Sequence, residues 1–489
     1  MTAAPGVLDL YRAIFGTVRA SLDVSRRRRL AIAVEITMVA AYVVLRTADA
    51  GRPALFAWTA ALIVVALVSP ATALVPFVAV APYSEWLLLD RDTGLKLAII
   101  PFLALGVAGR LLLVRPAWPP PLGWLTLALW AGSGASVIHS FIRFGTDFGQ
   151  RSIAVWAAGI GGGLVVFATA WWAARGGSLR PLFAAAATIA VAGAVSLLDH
   201  VADAAVRRSV LAWMLRPTHD EVRLAGIIPA PNAVAGLLLA GTAVLVAVLI
   251  FSRDPRRVVL LPAIAMLGIA VLLTFSRSGI FGAVLIGVAY AAWWRPRAGL
   301  IAAVVIVGLS IVIVPLYLNL RAGAVGSGAI LLEGSLLSGS DMERLNAWAS
   351  AVRMWLDAPL TGVGFLGFKE LHAAYGSPTI SAPHNELLRV LVEAGLVVAV
   401  AFAWWAIAVV TRLWRKRSVV GIAGVGAFLA LVSAASYNNP LLYIQVVAVV
   451  MTIVGAAVGW SPGPPVDAGP VAEEQLSVTE PVDDVGQRL

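Results

Sequence analysis

The chain has 489 residues, of which 60% are hydrophobic and 13% charged, with a mean hydropathy of +0.90; soluble domains run at about 45–50% apolar and about 25% charged. A soluble nucleotide-binding enzyme, a disordered regulator and a secreted disulfide scaffold are all excluded, the last because the chain contains no cysteine. The net charge of +10 does not call for nucleic acid, because Lys and Arg collect in the cytoplasmic loops of membrane proteins.

The first segment, residues 1–29, carries Arg12 and Arg19 and ends in the run Arg26 to Arg29 immediately before an apolar stretch. This pattern predicts a basic cytoplasmic N-terminus followed by a first membrane helix rather than a cleaved signal peptide. A polytopic membrane domain is expected over residues 30–460, all-α, with spans near 30–46, 53–69, 71–89, 95–114, 121–142, 152–174, 180–198, 232–252, 257–275, 278–294, 299–319, 386–411, 418–436 and 441–460. These fourteen stretches set a bundle of about 12–14 helices, each about 20 residues long. The stretch 71–89 is the weakest, since Pro76, Pro82 and Glu85 interrupt it.

Charge then sorts the connections. Arg110, Arg115, Arg175, Arg253, Arg295, Arg412 and Lys416, with their basic neighbours, fall on the side of the N-terminus. The opposite, external face receives two long segments, 199–231 and 320–385, expected to hold short helices. One is amphipathic, from Asp199 to Arg216. Another, from Asp341 to Pro359, has Leu345, Trp348, Val352 and Trp355 at helical spacing and should lie on the domain. Residues 461–489 combine five prolines with six acids and one arginine. They are expected to form a disordered, acidic cytoplasmic tail.

Three external positions carry candidate chemistry. Arg223 lies in a Gly/Pro-rich segment that runs through Pro231 and Asn232 into a span; Arg277 lies in the tight break Ser276-Arg277-Ser278-Gly279; His384 follows Pro383 and precedes Asn385 and Glu386. If Arg223 and Arg277 converge, their planar guanidiniums match phosphate oxygens, and a diphosphate is the natural guest. Against this stands a bland reading, in which each arginine snorkels to headgroups or caps a helix. An imidazole at a helix N-terminus is kept neutral and able to take a proton from a hydroxyl, with Asn385 and Glu386 as orienting partners. A merely solvated or structural histidine is the alternative. Arg344 offers a third positive charge, or else pairs with Asp341 or Glu343. The five histidines show no metal-ligand spacing and there is no Cys/His set. No metal and no cofactor are expected.

Taken together, residues 220–400 resemble the O-antigen ligase and O-antigen polymerase superfamily of bacterial membrane glycosyltransferases. The resemblance rests on the order of Arg223-x-x-Gly226 ending in Pro231-Asn232, the Ser276 to Gly279 turn, the Arg344 to Trp348 helix leading to Pro359 and Gly362-Val-Gly364, and His384-Asn385 followed by Leu387, Leu388, Glu393, Ala394, Gly395 and Leu396. It implies that Arg223 and Arg277 grip a lipid-linked pyrophosphate and that His384 acts in catalysis without metal or nucleotide. The implied partners are a polyprenyl-pyrophosphate-linked glycan donor, a glycan or glycolipid acceptor and membrane lipids, with no nucleic acid. The implied setting is the bacterial plasma membrane, with both termini cytoplasmic and the reaction external. Ligation and polymerisation share this chemistry; ligation is the first expectation and polymerisation the second. A lipid-linked glycan transporter has the same composition, but Glu35 is the only clear mid-span acid, and no pair of broken helices repeats across two halves.

Overall fold

The computed structural model describes residues 24–47, 52–83, 122–201, 230–305 and 339–461, together with positions 105, 106, 108, 109, 224 and 308. Every regular element among them is helical. In chain order these are α1 (Val24–Thr47), α2 (Arg52–Val68), α3 (Pro70–Val80), α4 (Leu122–Phe144), α5 (Thr146–Ala158), α6 (Ile160–Arg175), α7 (Arg180–Val201) and α8 (Pro231–Phe251). They continue with α9 (Leu261–Leu273), α10 (Arg277–Trp294), α11 (Pro296–Val305), α12 (Gly339–Asp357), α13 (Gly367–Leu371), α14 (Glu386–Arg415), α15 (Val419–Tyr437) and α16 (Ile444–Gly459). Among the described residues eight helical stretches are long and apolar enough to cross a membrane, and four shorter apolar helices accompany them. The chain is a multi-pass membrane protein.

The centre of the bundle is α16, whose sixteen residues are all buried. Lipid gives helices no hydrophobic reason to associate, so close packing has to supply it. Here small residues do so: a side chain at Gly455 or Gly459 would strike the carbonyl of Phe167 or Trp171 on α6. Around this pair, Trp405 of α14 packs on Phe167 and Phe428 and donates its indole N–H to Thr126 of α4 at 3.0 Å. On the other side α15 meets α8 through Gly236 and Ala434, and α10 through Gly282 and Ser433. The Ser433 hydroxyl donates to the Ser278 carbonyl at 2.5 Å.

Several expected spans take a different form. The weak stretch at 71–89 is described only as far as residue 83 and there holds the short, buried α3, with its Ser69 cap and internal Pro76. The span at 152–174 starts sooner, at Thr146, and breaks at Gly159, where a side chain would meet the Leu441 carbonyl. Most consequential is α14, which contains Gly395 at φ 84° and ψ 175° and is therefore two helices end to end. The predicted span at 95–114, the end of that at 299–319, the helix expected from Asp199 to Arg216 and the two chain ends lie wholly or largely outside the described residues.

The break at Gly395 frees backbone groups that would be costly to leave unpaired in a buried position. Three of them are met from one loop. The carbonyls of Val392 and Glu393 accept the N–H groups of Val363 and Gly364 at 2.8 and 3.0 Å, and the Pro359 carbonyl accepts the Leu396 N–H at 2.9 Å. Ser136 of α4 adds its hydroxyl to the Glu393 carbonyl at 2.7 Å. The Gly362-Val-Gly364 turn is thus the partner that lets α14 bend.

Candidate functional site

His384 sits at the entrance to α14 with φ 49°, in the left-handed region that non-glycine residues seldom occupy. Three contacts hold it there. The indole N–H of Trp348 on α12 donates to the Pro383 carbonyl at 2.7 Å. Asn385 caps α14 by accepting the Leu388 N–H at 3.0 Å. Asn438, at the end of α15, hydrogen-bonds the imidazole. Strained backbone kept in place by its surroundings is characteristic of working sites.

Arg344 precedes Trp348 by one turn of α12, so the residue that holds the His384 loop and the residue that lends it positive charge share one face. Burial lowers the His384 pKa below its ordinary value, the Arg344 guanidinium lowers it further, and the Asn438 hydrogen bond opposes both. The ring is therefore neutral at pH 7. Its Nδ1 is buried with no hydrogen-bond partner among the described residues.

Arg277 is the first residue of α10, half-buried, behind the N-cap Ser276. The preceding residues form a compact turn: Thr274 is buried, its hydroxyl donates to the Val271 carbonyl at 2.6 Å, and Phe275 has φ 47°. Phe281, one turn into α10, meets Tyr437 edge to face with ring centroids 6.2 Å apart. Tyr437 is the residue before Asn438, so Arg277 and His384 are tied to the same end of α15. Arg223 lies outside the described residues. Its neighbour Leu224 is buried and donates its N–H to the Leu273 carbonyl at 2.9 Å, beside the turn that presents Arg277.

Asn232, at the start of α8, belongs to this end as well, because α8 runs antiparallel to α15: Gly236 faces Ala434 and Ala243 faces Gly426. The opposite end is basic. There Arg417 lies over Trp293 and Trp414, and Lys416 donates to the Ala457 and Val458 carbonyls at 2.9 and 2.6 Å.

Asn385 and Glu386, expected to orient the imidazole, have other partners. The Asn385 side chain is occupied as a helix cap. Glu386 is fully buried and paired with Arg389, which also binds Glu393 at 2.9 Å. The three charges are 0%, 2% and 3% exposed, and the guanidinium lies 5.2 Å from the Phe365 ring. Arg389 and Glu393 also line a cavity of about 10 Å³ with Ser133 and Phe365. This triad and Asn438 went unnoticed in the sequence, although acidic, basic and acidic residues at positions 386, 389 and 393 follow helical spacing. Among the described residues no group of three His, Asp or Glu side chains is placed to hold a metal ion. Glu35 in α1 is bound to Arg180 of α7 at 2.8 Å.

Residues 262–403 match the family model described as O-antigen ligase. Over that region the chain is similar to the O-antigen ligase family. The match runs from α9 into α14 and includes Arg277, Arg344 and His384, whereas Arg223 and Asn232 precede it. No curated protein matches the chain.

Proposed function

We propose that this O-antigen ligase relative is an inverting glycosyltransferase that moves a glycan from a polyprenyl-pyrophosphate carrier to an acceptor hydroxyl on the external face of the membrane. The observation that carries the reading is the gathering of Arg344 and Asn438 on a neutral, backbone-strained His384 at the end of the bundle where Arg277 begins α10. The basic side chains of the other end support placing that end in the cytoplasm and His384 outside.

In this reading His384 removes the proton from the acceptor hydroxyl, the oxygen attacks the anomeric carbon, and the bond to the pyrophosphate oxygen breaks with inversion. Arg277, Arg223 and Arg344 stabilise the charge that develops on the departing polyprenyl pyrophosphate. Preorganised donors aimed at such charge supply large catalytic terms. Asn232 supports the start of α8 beside them.

Arg277→Ala and His384→Ala should each lower transfer by about 10²–10³-fold while the protein still assembles in membranes; wild-type turnover in either variant would remove the mechanism. Transfer of finished chains to a new acceptor marks a ligase, our first reading. A ladder of lengths built on the carrier marks a polymerase.

A further inference from the structure

Helix α12 has two apolar sides. One is spent inside the protein, where Ala347, Ala351 and Met354 are fully buried. At about 100° per residue, Leu345, Val352 and Leu356 fall on the opposite side, and they are 41%, 42% and 62% exposed. A helix resting on a domain in water would put polar residues there. Asn346, Arg353 and Asp357 lie instead on one flank between the two apolar sides, and Arg344 lies on the other.

The depth of this stripe can be read from α14. Beyond the break at Gly395, residues 396–415 form about 20 residues of helix, or about 30 Å, the thickness of a hydrocarbon core. If this stretch is the spanning part of α14, Gly395 lies at the membrane boundary at this end of the bundle. The chain leaving α12 is bonded to that point, since Leu396 donates to the Pro359 carbonyl at 2.9 Å. Leu360 next to it is 65% exposed, and Val397 and Val400, just beyond the break on α14, are 66% and 54% exposed.

We propose that α12 is an interfacial helix whose Leu345, Val352 and Leu356 stripe is immersed in the lipid leaflet at the boundary marked by Gly395. Helices of this kind bury one apolar face about 5–10 Å into the headgroup and acyl boundary. The adjoining exposed apolar side of α14 is what selects lipid, rather than another protein, as the occupant. Arg344 on the same helix is thereby held at the depth of lipid phosphates. The inference does not rest on the proposed reaction.

The absence of cysteine makes the test direct. Val352→Cys, Leu356→Cys, Asn346→Cys and Val397→Cys would each be labelled with an environment-sensitive fluorophore. The full chain would then be reconstituted in phosphatidylethanolamine and phosphatidylglycerol vesicles containing lipids with a nitroxide near the headgroup. The Val352 and Leu356 probes should be quenched by nitroxide lipid as strongly as the Val397 probe, at least threefold more than the Asn346 probe, and shielded from aqueous iodide. Iodide access without lipid quenching would overturn the proposal. So would shielding from both quenchers, which would mean that protein covers the stripe.

Discussion

The indole of Trp348 holds the carbonyl of Pro383 at 2.7 Å, across a gap of 35 residues in the chain. That bond ties α12 to the loop in which His384 is strained, and α12 also carries Arg344. A neutral hydrogen bond contributes about 0.5–1.5 kcal/mol net. Trp348→Phe keeps an aromatic body and removes the donor. Turnover in the glycan-transfer assay should fall between about twofold and tenfold, with the acceptor KM little changed. An unaltered kcat would show that the loop is held without this bond.

The charge on His384 predicts a pH profile. Burial and Arg344 both lower its pKa, so the neutral base persists below the ordinary histidine value of about 6.5 and is lost only as pH falls through the lowered value. Arg344→Gln removes one of the two lowering influences. The acid limb of kcat against pH should then move upward, so that the variant loses proportionally more activity at pH 6 than at pH 8. A uniform loss across the profile, with the limb unmoved, would separate Arg344 from the titration.

Arg389 is the only cation in a buried cluster with Glu386 and Glu393. Removing one partner of a buried ion pair leaves uncompensated charge and costs about 3–5 kcal/mol. Arg389→Met should therefore lower the thermal midpoint in detergent sharply and reduce the yield of assembled protein. Adding Glu386→Gln and Glu393→Gln should restore most of the midpoint, because the stranded charges go with them. If the triple variant is no more stable than Arg389→Met, repulsion is not the cause.

The sequence shows its spans because lipid demands long apolar runs, and α8, α10 and α15 lie within a few residues of where hydropathy puts them. The break in α14 was hidden. Glu393-Ala394-Gly395-Leu396 reads as uninterrupted helix, and the groups that let it open come from Pro359, the Gly362 turn and Ser136, all distant in the chain. Asn438 was hidden for a related reason: its meaning depends on α15 ending beside α14, a fact of packing rather than of local pattern. Arg277 stands out in the sequence because it interrupts an apolar run, and His384 because it follows Pro383 just before a span.

Arg277 gives the sharpest test of what the arginines do. A guanidinium presents parallel donors matched to phosphate oxygens, whereas an ammonium presents a point charge. If Arg277 acts on charge that develops in the transition state, kcat and kcat/KM should fall together. Arg277→Lys, which keeps the charge, should retain an intermediate rate between wild type and Arg277→Ala. The alanine variant should lose about 2.7–4 kcal/mol of transition-state stabilisation, the range found for a single oxyanion donor. A rise in donor KM at constant kcat would show that Arg277 only anchors the carrier lipid. Equal rates for lysine and arginine would show that charge alone matters and that the forked geometry does not.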